Sequence, residues 1–305
     1  VDYIYVIAGL LALFFGGEGL VRGSVGIARR LAISPLLIGL TVVGFGTSTP
    51  ELLVSVEAAW RGVPDIAIGN IVGSNIANIL LIVGVTCLVW PIRVSGSTLR
   101  RDTAVMVAGA AALVPIFAMG ELGRLPGLML VIALAGYLIW AYIKPGEAVE
   151  EEDTTPPPAM LISGLWVLGG LVTLMFGARF LVEGSVNIAR GYGISEAFIG
   201  LTIVAVGTSL PELATSVIAA FRRQSEIAIG NVVGSNIFNV LGILGVTAMI
   251  KPIPVADRFL TFDLPIMLCA SLVLTALLLT QKVIGRGVGV VLVLAYVAYV
   301  WAAQG

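Results

Sequence analysis

A chain of 305 residues that is 58% hydrophobic and 11% charged, with a mean hydropathy of +1.06, cannot be a water-soluble globule, where about a quarter of residues carry charge. A net charge of −1 with no basic stripe excludes a nucleic-acid binder. With no histidine, the chain lacks the commonest general base and transition-metal ligand, which leaves only hard, oxygen-preferring metals open.

Apolar stretches of about 18 residues or more recur along the chain, each long enough to cross a hydrocarbon core of roughly 30 Å as a helix, and none alternates as a barrel strand would. The reading is an all-α integral membrane protein. The predicted spans, in order, are Tyr3 to Ile27, Pro35 to Trp60, Asp65 to Trp90, Thr103 to Met119 and Leu125 to Ile143 in the first half. In the second half they are Met160 to Ile188, Glu196 to Phe221, Glu226 to Ile250, Leu260 to Leu279 and Gly287 to Trp301. The first begins without a basic leader or a small-residue cleavage site, which makes it a retained span and not a signal peptide. Cys87 and Cys269 lie far apart in apolar segments and read as small buried hydrophobes.

The one markedly hydrophilic segment, KPGEAVEEEDTTPPP, divides the chain into a first five-helix unit (1–143), an acidic, proline-rich linker (144–158) and a second five-helix unit (159–305). Five is odd, so the second unit enters the membrane from the opposite side. The expected architecture is therefore ten helices in two inverted repeats, an arrangement recurrent in secondary transporters. Arg29, Arg30, Arg93, Arg100, Arg101, Lys144, Arg222, Arg223, Lys282 and Arg286 fall on one side, against Arg61, Arg124, Arg190, Lys251 and Arg258 on the other. The richer side is cytoplasmic by the positive-inside rule, which places both termini outside the cytoplasm and the linker within it. Two charges stand in the first span of each half, Glu18 with Arg22 and Arg179 with Glu183, and their spacing reads as an ion pair within each helix.

A stretch that occurs twice carries the chemistry. GLTVVGFGTSTPELLVSVEAAWRGVPDIAIGNIVGSNIAN (39–78) and GLTIVAVGTSLPELATSVIAAFRRQSEIAIGNVVGSNIFN (200–239) align without a gap at a spacing of 161 positions. Glu51 and Glu212 fall at the middle of their spans, roughly 20 Å from either end. An acidic side chain at that depth costs about 2.5 to 3.5 kcal/mol on insertion scales, and no Lys or Arg of the repeats stands near it. Protonation or a bound cation has to compensate.

The neighbours favour a cation. Thr47, Glu51 and Ser55 lie on one helix face, as do Thr208, Glu212 and Ser216, and Asn70, Ser74 and Asn78 (with Asn231, Ser235 and Asn239) form a second oxygen-bearing stripe on the next helix. Carboxylates, hydroxyls and amide oxygens are what sodium-like and calcium-like ions take. Pro50 and Pro211 break the helices and free carbonyls near Gly44 to Thr47 and Ala205 to Thr208, while Gly44, Gly46, Gly69 and Gly73 permit the bend and close helix approach. Asp65 and Glu226 read as first-turn acids facing the helix dipole, and Glu57 as peripheral.

GTSTPE with GNIVGSNIAN, and GTSLPE with GNVVGSNIFN, resemble the two alpha-repeats of the cation/calcium antiporter superfamily, in its prokaryotic-type sodium/calcium exchanger branch, over nearly the whole chain. The resemblance implies broken helices 2, 3, 7 and 8. It also implies calcium held by Glu51 and Glu212 with the carbonyls of Thr47 and Thr208. Flanking sodium ions would be held by Ser48, Ser74, Ser209 and Ser235 with the carbonyls of Gly44 and Ala205, and Asn78 and Asn239 would line the middle. Some relatives, potassium-dependent ones among them, have aspartate where Asn239 stands, so this chain offers two formal negatives and not three.

The function expected is sodium-for-calcium antiport by alternating access, with calcium, sodium and the lipid bilayer as partners, no cofactor and no obligate protein partner. A proton/calcium antiporter, or one for another divalent cation, is the alternative, although GTS-x-PE points to sodium. A cation channel is a more distant rival. An intramembrane enzyme with Ser48 or Ser209 as nucleophile lacks the histidine or buried lysine needed to activate it.

Overall fold

A computed structural model of the chain describes residues 2–94, 99–144, 158–193 and 205–303. Its helices are α1 (Asp2–Leu31), α2 (Pro35–Thr47), α3 (Thr49–Arg61), α4 (Pro64–Val89), α5 (Leu99–Ala118) and α6 (Arg124–Ile143), followed by α7 (Met160–Gly191), α8 (Leu210–Phe221), α9 (Ser225–Ile250), α10 (Phe259–Thr280) and α11 (Arg286–Ala302). A helical turn, Ala205–Gly207, precedes α8. Among the described residues seven helices are long and apolar enough to cross a membrane, or eight if α2 and α3 count as one bent span. The chain is thus an essentially all-helical, multi-pass membrane protein. The predicted linker lies outside the described residues except at Lys144 and Pro158, and so does the start of the predicted span from Glu196.

Local signals set the helix ends. Pro35 and Pro64 occupy first helical positions, where a missing N–H costs nothing, and the Ser34 hydroxyl accepts the Leu37 N–H at 3.2 Å. Gly62 closes α3 at a φ of 78°, in the left-handed region that glycine enters freely. Asp65 and Glu226 stand in the first turns of α4 and α9, as expected, and Glu57 is exposed beside Arg61.

α4 and α9 lie at the centre of the molecule and are buried on nearly every side. Two short antiparallel ladders tie the halves together: Ile92–Arg93 pairs with Val283–Ile284, and Glu121–Leu122 with Ile253–Pro254. Two buried acids that sequence periodicity did not single out pin neighbouring helices. Asp102 takes Arg101 at 2.6 Å and the Tyr137 hydroxyl at 3.2 Å, and Asp263, at the same 161-residue spacing, takes Arg258 at 3.2 Å and the Tyr299 hydroxyl at 2.9 Å.

α1 and α7 pack against each other along their length and stand to one side of the core. A Cβ on Gly16 would lie 2.8 Å from the Leu174 backbone nitrogen, and one on Gly177 would lie 2.8 Å from that of Leu13, so the two backbones touch.

The charges in these helices differ from the prediction. Glu18 does pair with Arg22, at 3.3 Å, but it also accepts two hydrogen bonds from Arg222 at the end of α8, at 2.6 and 2.9 Å. Arg179 and Glu183 are both exposed, and no ion pair joins them among the described residues. The physical reason is reach: Arg222 offers Glu18 a two-pronged partner across helices, and among the described residues no such partner orders the second pair. Glu18→Gln leaves two arginines facing each other, whereas Arg222→Gln leaves the Glu18–Arg22 pair in place. Thermal unfolding in detergent should therefore show a larger loss for Glu18→Gln, and the cycle with Arg222→Gln should give a coupling of about 0.5–1 kcal/mol. A coupling indistinguishable from zero would remove the cross-helix role.

One further expectation is corrected. Cys269 is exposed, because its side of α10 faces away from the core, and only Cys87 is buried. In the third and eighth spans the interruptions take the form of π-helical turns, Asn78–Ile82 in α4 and Phe238–Leu244 in α9, within helices that run on without an internal proline.

Candidate cation site

The break in the first repeat falls at Ser48, between α2 and α3, whose axes differ by 43°. Pro50 lacks an N–H, so the helical ladder cannot close over Gly46, and the chain restarts with Ser48 as cap at φ −81°, ψ 6°. Ser209 caps α8 in nearly the same conformation, φ −88°, ψ 7°, ahead of Pro211. Each restart puts a glutamate in the first turn of the new helix, Glu51 in α3 and Glu212 in α8, and both are 1% exposed. A helix N-terminus is the place where carboxylates are best tolerated.

The two breaks reach across to each other. The Ser48 hydroxyl donates to Glu212 Oε1 at 3.1 Å, and the Ser209 hydroxyl donates to Glu51 Oε1 at 3.4 Å while lying 3.4 Å from that of Ser74. The central helices hold each glutamate turn by its backbone: Asn70 Nδ2 donates to the Glu51 carbonyl (3.1 Å) and to Ser55 Oγ (3.0 Å), and Asn231 Nδ2 to the Glu212 carbonyl (3.2 Å) and Ser216 Oγ (2.9 Å). Thr47, the last residue of α2, donates to Asn231 Oδ1 at 3.1 Å, and Thr208 to Asn70 Oδ1 at 3.5 Å. The two stripes of each repeat meet in register.

Ser235 donates to the Gly44 carbonyl at 3.2 Å, which joins two of the groups expected to serve the flanking sodium ions. Ala205 begins the helical turn before α8, and Ser74, another of the expected sodium ligands, bonds to Ser209.

Among the carboxylates and amides of this cluster, four oxygens are left over. Glu51 Oε2, Glu212 Oε2, Asn78 Oδ1 and Asn239 Oδ1 are all buried and lack a donor among the described residues. An unsatisfied buried polar atom costs about 1–3 kcal/mol, more if charged, and this set, two carboxylate and two amide oxygens at matched positions of the repeats, is one that a cation would satisfy. No group of three or more His, Cys, Asp or Glu forms among the described residues, so the set is two carboxylates with neutral oxygens. That suits a hard cation.

Asn75 and Asn236 were not singled out by the sequence reading, which followed i, i+4 spacing along one stripe. They lie one residue off it, yet bond to Asn239 and Asn78. Their recurrence in both GSNI segments was the available signal. A groove of about 540 Å³ opens beside the second break, with Pro50, Val54, Asn187, Arg190, Gly207 and Thr208 among its lining residues.

The family model described as sodium/calcium exchanger protein matches residues 1–143 and 162–304. Sodium/calcium exchanger MaX1 of Methanosarcina acetivorans is 33% identical over 341 residues, covering 98% of this chain and 97% of its own length. Inner membrane protein YrbG of Escherichia coli is 34% identical over 311 residues, covering 98% and 95%. Among solved structures, the sodium-calcium exchanger NCX_Mj soaked with zero Na+ and Ca2+ superposes with a TM-score of 0.86 at 31% identity, covering 99% of this chain and 98% of that one. The same protein soaked with 10 mM Na+ and zero Ca2+ gives 0.85 at 32%, covering 97% of each.

Proposed function

The chain belongs to the sodium/calcium exchanger family, and we propose that it exchanges sodium for calcium across the cell membrane by alternating access. The observation that carries this reading is the set of four buried, donor-free oxygens contributed equally by the two repeats, a glutamate after each break and an asparagine on each central helix. Glu51 and Glu212 then bind calcium with the carbonyls of Thr47 and Thr208, and Asn78 and Asn239 complete the middle of the site. Ser48, Ser74, Ser209 and Ser235, with the carbonyls of Gly44 and Ala205, serve the sodium ions. Two carboxylates balance one calcium ion, or partly balance several sodium ions, but full occupancy by both would crowd positive charge where it is poorly screened. Competition at a shared site becomes antiport when the two mouths open in turn.

The reading includes ten spans in two inverted five-helix repeats, divided at the acidic linker, with both termini outside the cytoplasm. Several contacts support it. The short apolar helices α8 and α11 fall where the seventh and tenth spans are expected. The ladders pair loops assigned to one side only, and the Lys251 ammonium bonds to the Trp60 carbonyl at 3.1 Å, joining two ends both assigned outward. The groove beside Thr208 carries Arg190, a residue of the same side, which suits access from outside. The backbone packing of α1 on α7 suits a pair that slides as one body against the core.

The relatives also include one named Ca(2+)/H(+) antiporter ChaA, from Bacillus subtilis, at 25% identity over 226 residues, so the coupling ion needs its own experiment. Sodium-loaded proteoliposomes diluted into sodium-free buffer at equal pH should take up radioactive calcium, and collapsing the sodium gradient should stop it. Uptake that ignores sodium and follows an imposed pH gradient would establish the proton-coupled alternative.

A further inference from the structure

An asparagine amide has an oxygen end and an N–H end of nearly the same shape, so packing cannot choose which end faces a cation. Only hydrogen-bond partners can. Asn78 and Asn239 each present an oxygen that no donor satisfies, and something must hold them that way round.

Two relays of amides do so, each ending on a group that can only accept. The Asn236 backbone carbonyl accepts the Asn75 Nδ2 at 3.3 Å. Asn75 therefore turns its oxygen the other way, where it accepts the Asn239 Nδ2 at 2.8 Å, and the Asn239 oxygen is left over. In the second relay the acceptor-only end is the thioether of Met106, 3.7 Å from the Asn236 Nδ2. The Asn236 oxygen then accepts the Asn78 Nδ2 at 3.0 Å, and the Asn78 oxygen is left over. All four asparagines are at most 3% exposed, so water does not offer an easy substitute partner.

We infer that Asn75, Asn236 and Met106 are positioning residues of the cation site: they fix the polarity of the Asn78 and Asn239 amides so that oxygen, not N–H, is offered to the ion. This rests on the cation-site reading above. The relays also differ in strength. A carbonyl is a far better acceptor than a thioether, so the Asn239 amide is held more firmly than that of Asn78, and the site is electrostatically lopsided although its sequence is repeated.

The test uses the purified full chain in detergent, with equilibrium binding of radioactive calcium and thermal unfolding in cation-free buffer. Asn75→Ala removes the acceptor that holds the Asn239 N–H end and should weaken calcium binding by about 10-fold or more, the usual cost of losing a partner behind a metal ligand. Met106→Leu keeps the volume and removes only the weak acceptor, so a loss of a few fold is expected. Asn239→Asp supplies a carboxylate, which has an oxygen at either end and needs no polarity fixed. Added to Asn75→Ala it should restore binding, whereas alone it sets a carboxylate against the Asn75 oxygen and should gain less than it gains in the alanine background. A packing defect at position 75 would not be repaired by a charge at position 239.

Wild-type binding with unchanged affinity in both Asn75→Ala and Met106→Leu would overturn the inference, and so would a failure of Asn239→Asp to rescue. If Asn75→Ala fails to fold, unchanged affinity in Met106→Leu alone overturns it. Absence of calcium binding by the wild-type chain would instead sink the cation-site reading on which it rests.

Discussion

Glu212→Gln is expected to abolish sodium-driven calcium uptake into proteoliposomes, with a fall of about a thousandfold or more, and Glu51→Gln to do the same. Both carboxylates are buried, and among the described residues neither has a cationic partner. Each unit of charge at about 4 Å is worth about 4 kcal/mol at an effective dielectric of about 20, which is roughly three powers of ten in affinity, and a divalent ion feels twice that. The hydroxyls around them matter less: Ser48 offers Glu212 one neutral bond at 3.1 Å, so Ser48→Ala should cost only several-fold. Thermal unfolding separates lost binding from lost folding. Without cations, Glu212→Gln relieves one uncompensated buried carboxylate and should be at least as heat-stable as the wild type. With calcium at about 100 times its dissociation constant the wild type gains about 2.7 kcal/mol, and the variant gains almost nothing. The order of the two unfolding midpoints therefore reverses on adding calcium. A variant that is less stable under both conditions would show a folding defect, and one that still transports would remove Glu212 from the site.

Much of this site is legible in the chain because its chemistry violates the local rule twice at one spacing. Glutamate at mid-span is expensive, proline beside it breaks the helix, and a second copy 161 positions on makes coincidence untenable. Periodicity also put Asn70 and Ser55 on facing stripes, which meet at 3.0 Å. What sequence could not give was partnership across the repeats. Ser48 belongs to the first motif but bonds to the glutamate of the second, and Asn75 lies off the i, i+4 stripe yet positions Asn239, because the halves interlock and do not merely sit side by side. Arg222 likewise reads as a basic residue at a span end. Its pairing with Glu18 depends on α1 lying beside α8, a fact of packing that no pattern within either segment records. The π-helical turns in α4 and α9 escaped for a different reason: no proline marks them in the sequence.

Gly44→Ala is expected to cut transport by about a hundredfold while the protein still reaches the membrane. A Cβ there would lie 2.9 Å from the Ser235 backbone nitrogen and 3.1 Å from the Gly234 carbonyl carbon. Backbone atoms of a buried helix cannot rotate aside, so α2 must withdraw from α9 by a good fraction of an ångström. The Gly44 carbonyl would move away from the Ser235 hydroxyl, now at 3.2 Å, and the break at Ser48 would carry its hydroxyl away from Glu212. Displacements near 1 Å at a reacting or binding constellation cost about 10²-fold, whereas overpacking of this kind costs about 1–3 kcal/mol in stability, which a helical membrane domain survives. Gly46, two residues on, makes the informative contrast. A Cβ there would come 2.7 Å from the methyl carbons of Leu171, the end of a side chain that can turn, so Gly46→Ala should lose only several-fold. Gly136, exposed on α6, should tolerate alanine outright. Calcium uptake measured at equal reconstituted protein should therefore rank Gly136→Ala above Gly46→Ala and Gly46→Ala above Gly44→Ala. Were Gly46→Ala as damaging as Gly44→Ala, backbone contact between α2 and α9 would not be what registers the two halves of the site.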